Sequence, residues 1–365
     1  MSFRSNTVAL ILVCCVATCS SALADPPIVP QDLGNLGYSV IEVKQVSEAG
    51  EIVGWSTPVF GASGFPAYWS QETGIVNIGS CCGGGIANYI TDDGVVIGEE
   101  QGINTRLGFY WTPADGRVNI PLHYGDFQII RGFNSKSGMV VGQACSGSIR
   151  DNCASDYKGF AWTKDGGLED LGQDCYPYDV NDSGQVVGWC GGWAGTAFLW
   201  TAQQGKQAIN FDGQAYCFAQ AINNSGQVAG RCQTFSYADG GPAFVWSESD
   251  GGITFDYPGL PPDSITNARV INDAGRVVGI AEGRTFTWTQ AGGVVPLEPP
   301  GVLVVNVVPL NTGSDFGLSE SGHIFLQVNE RDEFTGVVTV HTYVWHEDTG
   351  YVDLGAGSSR PVILG

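Results

Sequence analysis

Apolar residues in this chain come in short runs with a period of two, broken by Gly, Asn, Asp and Ser rather than by long helical stretches. The pattern predicts strands throughout and almost no helix. Its most regular segment is Val180-Asn181-Asp182-Ser183-Gly184-Gln185-Val186-Val187-Gly188. Two apolar arms flank a turn in which polar side chains bond the local backbone and Gly supplies positive φ, the signature of a tight hairpin. Further copies span residues 46–54, 90–98, 133–142, 222–230, 271–279 and, loosely, 318–326. After each copy comes an aromatic strand ending in Trp69, Trp111, Trp162, Trp200, Trp246, Trp288 or Trp345, most with Phe or Tyr two positions earlier. A glycine turn and one more apolar segment close each unit, as in Gly167-Leu168-Glu169-Asp170-Leu171-Gly172.

The turn glycines Gly50, Gly94, Gly138, Gly184, Gly226, Gly275 and Gly322 recur every 42 to 49 residues, room for four short strands per unit. The expected fold is all-β, a seven-bladed β-propeller of four-stranded antiparallel blades, in one domain over residues 25–365. Two segments compete to complete the last blade: Val29-Pro30-Gln31-Asp32-Leu33-Gly34 and Tyr351-Val352-Asp353-Leu354-Gly355.

The repeat Ile222-Asn223-Asn224-Ser225-Gly226-Gln227-Val228-Ala229-Gly230, followed by Ala243-Phe244-Val245-Trp246, resembles that of the extracellular HAF-type repeat family. The resemblance recurs over residues 29–355 and implies a secreted, β-propeller-like protein; it supplies no catalytic residue. The seventh unit departs from the pattern, with Phe325-Leu326 in place of Val-Gly.

Residues 1–24 read as a secretory signal peptide: Arg4, an apolar run over 8–17, and the small-residue site Ala22-Leu23-Ala24. A rival reading makes Val16-Ala17-Thr18-Cys19 a lipoprotein acylation site, for which Thr before the Cys is a poor fit. The run is too short to span a bilayer, and no second hydrophobic segment follows, so a secreted or periplasmic location without a membrane span is expected. With 16 Lys and Arg against 37 Asp and Glu, nucleic acid is an unsuitable partner, and an acidic, solvated exterior accounts for the charge.

Eleven cysteines, three of them in the leader, leave eight in an exported chain, which points to disulfides. Cys175 and Cys190 flank Gly184 at the same distances at which Cys217 and Cys232 flank Gly226. Pairing Val180 with Gln185 across the turn sets Cys175 opposite Cys190, and the same register sets Cys217 opposite Cys232. Cys145 with Cys153 would then staple the long loop of the third unit, leaving Cys81 and Cys82 as adjacent partners or free thiols.

In an up-and-down unit, the second-to-third and fourth-to-first links share one end, and here they vary widely in length, so function is expected at that end. Three Trp residues outside the repeat position, Trp55, Trp189 and Trp193, are assigned to second-to-third loops, with Phe60, Phe65, Phe235 and Tyr237; His123 and Tyr124 lie in a fourth-to-first link. Two readings stand: rings that stack on a sugar or another flat partner, or rings that fold back as loop plugs.

No nucleophile elbow, zinc-helix motif, phosphate loop or Cys-x-x-Cys pair is present, and no cofactor is implied. His123, His323, His341 and His346 are too scattered for a metal set, and turn chemistry explains Asn272-Asp273-Ala274-Gly275 better than calcium does. The same chemistry accounts for the glycosylation patterns Asn181-Asp182-Ser183 and Asn223-Asn224-Ser225. The leading functional reading is a non-catalytic secreted protein offering its loop face to a polysaccharide or a cell-surface protein. A second is an extracellular polysaccharide lyase or glycoside hydrolase, for which Arg106, His123 and Tyr124 are first to test and Glu99-Glu100 or Glu330, Asp332 and Glu333 supply carboxylates. A third is a structural surface component.

Overall fold

The computed structural model describes residues 40–47, 49–57, 64–79, 84–102, 105–121, 124–146, 157–191, 195–211, 216–233, 240–261, 264–299, 304–309, 317–331 and 338–356. No helix occurs among them. The strands form five four-stranded sheets and one eight-stranded sheet, with consecutive strands antiparallel within each repeat unit. The larger sheet comprises the second and third units, which the sequence pattern separates; a parallel pairing of Arg106 with Phe127 joins them.

The repeated motif has a steric meaning. The Gly that ends it sits in the second strand, opposite the Phe of the third: Gly98 faces Phe109, Gly142 faces Phe160, Gly188 faces Phe198, Gly230 faces Phe244 and Gly279 faces Phe286. A Cβ on Gly279 would stand 2.4 Å from the Phe286 ring and 2.3 Å from the Asn267 carbonyl oxygen. The missing side chain is therefore the slot that the ring fills, and four of these rings are fully buried. The repeat Trp residues pack between units: Trp111 lies 4.8 Å from Tyr68 of the preceding unit, and Trp288 stacks on Phe255 at 4.6 Å. Outer strands are more exposed, as at Val118, Ile253, Val295 and Val352.

The hairpin register differs by one residue from the sequence expectation. Asn181 N–H bonds Gln185 carbonyl at 3.1 Å and Val180 pairs with Val186 rather than Gln185. A bulge at Tyr178 then inserts one extra residue on the first strand and restores the count, so Cys175 does face Cys190. Bulges at Lys44, Asn88, Arg131, Gln220 and Arg269 occupy the corresponding position in five other units. Disulfides link Cys175 to Cys190 and Cys217 to Cys232, with Cα separations of 4.0 and 4.1 Å. Cys145 is also disulfide-bonded, whereas Cys153, Cys81 and Cys82 lie outside the described residues.

The seventh unit solves the same problem differently. Leu326 stands where the other units have Gly, opposite Tyr343 rather than Phe, and is fully buried. Pro309 pairs with Leu326, while Gly317 carbonyl accepts from Phe325 N–H at 2.7 Å. The strand Gly350–Ala356 pairs with Val338–His346, so the carboxy-terminal candidate is the fourth strand here. The amino-terminal candidate, 29–34, lies outside the described residues, as does the leader.

The turn residues do more than shape turns. Asn181 Nδ2 donates to Asn223 carbonyl at 3.0 Å, Asn223 Nδ2 to Asn272 carbonyl at 2.9 Å, and Asn272 Nδ2 to Ser319 carbonyl at 3.0 Å. A second rail runs beside it: Asp182 N–H to Asn224 Oδ1 at 2.9 Å, Asn224 N–H to Asp273 Oδ1 at 2.7 Å, and Asp273 N–H to Glu320 Oε2 at 2.8 Å. From the fourth to the seventh unit each turn therefore holds the next, and there that end is committed to holding units together. Asn181 and Asn223 are buried with their amides engaged, in accord with a structural role for both glycosylation patterns.

Candidate functional site

Immediately after the slot glycine, the second strand continues toward the loop end with Trp55, Glu99, Gln143, Trp189 and Arg231 in successive units. Trp55 and Trp189 therefore belong to strands, Ile52–Thr57 and Val186–Cys190, and not to the loops to which the sequence assigns them. Phe65 likewise opens the strand Phe65–Ser70. The strand runs past its glycine because both edges are paired there: Trp189 faces Tyr176 on one side and Ala197 on the other.

Around Trp189 the fold assembles an aromatic shelf from three units. Trp189 stacks on Tyr176 with centroids 4.0 Å apart and planes at 24°, and meets Phe218 edge-on at 5.1 Å. Tyr157 lies 4.1 Å from Tyr176, and Arg231 caps Phe218 at 4.9 Å. Tyr157 and Phe218 are buried, while Trp189 and Tyr176 are half-buried. Burial, with donation of its hydroxyl proton to Tyr176, holds the Tyr157 phenol far above its ordinary range. Burial also raises Tyr176, against the opposing influence of Tyr157, Gln143 and Arg131. Both phenols are therefore neutral at physiological pH, and the shelf is an apolar plane edged by hydroxyls.

Beside Tyr176 lies a polar pair. Arg131, the bulged residue of the third unit, donates from Nε to Gln143 Oε1 at 2.9 Å, and its carbonyl accepts from Tyr89 Oη at 3.3 Å. Gln143 is fully buried, and its amide is turned to the Tyr176 phenol.

The other nominated residues have separate surroundings. Trp55 lies 5.1 Å from Lys44 Nζ, in the first unit. Tyr124 sits 5.3 Å from Lys158 Nζ. Arg106 donates to Glu99, which also accepts from Ile130 N–H, and Arg117 pairs with Glu100 at 2.6 Å. Glu99 and Glu100 are buried and bound to arginines of their own unit, and Glu99 also reaches Ile130 of the next, so these carboxylates are structural rather than set across a cleft. His123, Trp193, Tyr237, Phe60, Phe235, Asp332 and Glu333 lie outside the described residues. Among the described residues no group of His, Cys, Asp or Glu is placed to hold a metal ion, and no helix is long and apolar enough to cross a membrane.

The sequence left Tyr157, Tyr176, Arg131 and Gln143 unnamed. One signal was available: the register that sets Cys175 opposite Cys190 also sets Tyr176 opposite Trp189.

No protein-family model matches the chain, and no curated protein matches it significantly. Solved structures do. Prolyl oligopeptidase B from Galerina marginata, bound to a 35mer hydrolysis and macrocyclization substrate, is 11% identical with a TM-score of 0.54, covering 91% of this chain and 52% of its own. Its apo form gives 10% identity and a TM-score of 0.53 over 91% and 53%. Virginiamycin B lyase from Staphylococcus aureus gives 11% identity and a TM-score of 0.42 over 73% and 92%. This chain spans about half the length of the oligopeptidase chains it matches. At such identities the likeness is one of fold, that of β-propeller proteins.

Proposed function

We propose that this chain is a secreted, non-catalytic carbohydrate-binding protein of the HAF-repeat type, whose seven units close into a seven-bladed propeller. The single observation that carries the reading is the half-buried stack of Trp189 on Tyr176 at the variable-loop end. A flat indole held rigid from below and edged by neutral hydroxyls matches a pyranose ring, which offers an apolar face and a rim of hydroxyls. The opposite end is occupied by its turn ladder. Secretion is supported by the disulfides, which persist in oxidising compartments, and by the leader-like amino terminus. The carboxylates most legible as an acid–base pair, Glu99 and Glu100, are paired with arginines, which favours binding over cleavage.

The test is affinity electrophoresis of the mature chain through gels holding neutral and acidic polysaccharides, with reducing ends assayed in the same samples. Retardation without new reducing ends or unsaturated uronates supports the reading. Turnover of any polysaccharide overturns its non-catalytic part, and free migration through every gel overturns the carbohydrate part.

A further inference from the structure

We propose that Arg131 and Gln143 form a carboxylate subsite beside the aromatic shelf, so that the sugar taken there is an acidic one, a uronate; this rests on the carbohydrate reading above and narrows its ligand class. The first observation concerns charge. Arg131 is half-buried, and no carboxylate pairs with it among the described residues, although acids outnumber bases 37 to 16 in the chain. Arg106, Arg117 and Arg276, by contrast, each face a glutamate. A guanidinium partly withdrawn from water without a counter-charge is destabilising unless something supplies one. Among the described residues only Nε of Arg131 is engaged, by Gln143, which leaves the Nη groups for a planar, bidentate anion.

The second observation is independent of charge. Gln143 is fully buried and doubly engaged, its Oε1 accepting from Arg131 and its amide turned to the Tyr176 phenol, so it locks the guanidinium against the shelf. Its Oε1 is fixed by Arg131, so the amide cannot turn over without losing that bond. Tyr176 feels both groups, since Arg131 and Gln143 each favour its anionic form, which places guanidinium, amide and shelf around one spot. A carboxylate there accepts from the Arg131 Nη groups, which Gln143 holds in place, while the ring that bears it lies against Trp189. Net acidity then acts as a filter: a polyanion is repelled everywhere except where its carboxylate meets this pair.

The experiment titrates the mature chain with galacturonate, glucuronate and mannuronate oligosaccharides and with their methyl esters, which keep the ring and remove the charge. At least one acid should bind about ten- to a hundred-fold more tightly than its ester, the scale of one charge-assisted bidentate contact. That preference should weaken with added salt, disappear in Arg131→Gln and shrink in Gln143→Leu, the second variant serving if the first fails to fold. Trp189→Ala should weaken acid and ester alike. Equal binding of acid and ester in the wild type, or a preference that survives in a folded Arg131→Gln, overturns the subsite while Trp189-dependent binding of neutral sugars leaves the carbohydrate reading standing. Absence of binding to any oligosaccharide overturns both.

Discussion

Gly230 and Phe244 face each other across the second and third strands of the fifth unit, and the ring occupies the space a side chain on Gly230 would need. A Cβ there would lie 2.8 Å from the ring carbons Cε1 and Cζ and 2.1 Å from the carbonyl oxygen of Phe218. Because one neighbour is backbone, relief requires the ladder itself to move. Gly230→Ala should destabilise the protein by at least about 1–3 kcal/mol, the range for overpacked cores. At Gly205, where φ is 69° and nothing lies within 4 Å of the place a methyl would take, Ala should cost only the left-handed backbone penalty of about 1–2 kcal/mol. Chemical denaturation of both variants checks the order; a milder effect at Gly230 would show that the slot is loose.

Removing Asn223 from the turn ladder should act across units as well as within one. Its Nδ2 reaches Asn272 carbonyl, and its Oδ1 accepts from Gln227 N–H at 2.8 Å. Asn223→Ala leaves Gln227 N–H without its partner, at about 1–3 kcal/mol, while the Asn272 carbonyl keeps Gly275 N–H and loses one bond worth about 0.5–1.5 kcal/mol, so a loss of about 1.5–4.5 kcal/mol is expected. Hydrogen exchange should show faster opening in the fifth and sixth units together. Loosening confined to the fifth would contradict a coupling role.

Non-reducing peptide maps should show Cys175 linked to Cys190 and Cys217 to Cys232. Cys217→Ser should lower stability by about 2–4 kcal/mol through the freed loop. A Cys190–Cys217 peptide would break the register on which the Trp189–Tyr176 pairing also depends.

The repeat made the strands, their turns and both hairpin disulfides legible, because Gly, Asn and Trp are fixed in place by sterics and backbone bonding. The bulge stayed invisible: Lys44, Asn88, Arg131, Tyr178, Gln220 and Arg269 share a position but no chemistry. The expected Val180–Gln185 pairing reached the right cysteines only because the bulge offsets the turn. Trp55 and Trp189 looked like loop residues because the strand outlasts the motif that announces it. Arg131 and Gln143 come together through that bulged ladder, which no residue pattern advertises.

In the seventh unit His323 and His346 lie 4.6 Å apart, with His323 Nδ1 bonded to Ser321 Oγ at 2.9 Å. Burial first, and the neighbouring His346 second, hold His323 below its ordinary pKa of about 6.5. The folded state thus favours the neutral ring. Its contribution to stability is present above about pH 6.5 and is lost as pH falls from there toward the lowered value. Thermal melts from about pH 7.5 down to pH 5 should show a decline that His323→Gln reduces. An identical decline in that variant would assign the effect to other groups.

The most direct measurement is calorimetric titration of wild type and Trp189→Ala with the best-retained oligosaccharide, alongside their melting curves. If the shelf binds sugar, the substitution weakens affinity by about 1–3 kcal/mol, as for a truncated interface aromatic, in a variant that still melts cooperatively, its Tm lowered only by the lost contacts to Tyr176 and Phe218. Unchanged affinity, or a variant that no longer folds, would mean that the ring is a structural plug and that the carbohydrate face lies elsewhere.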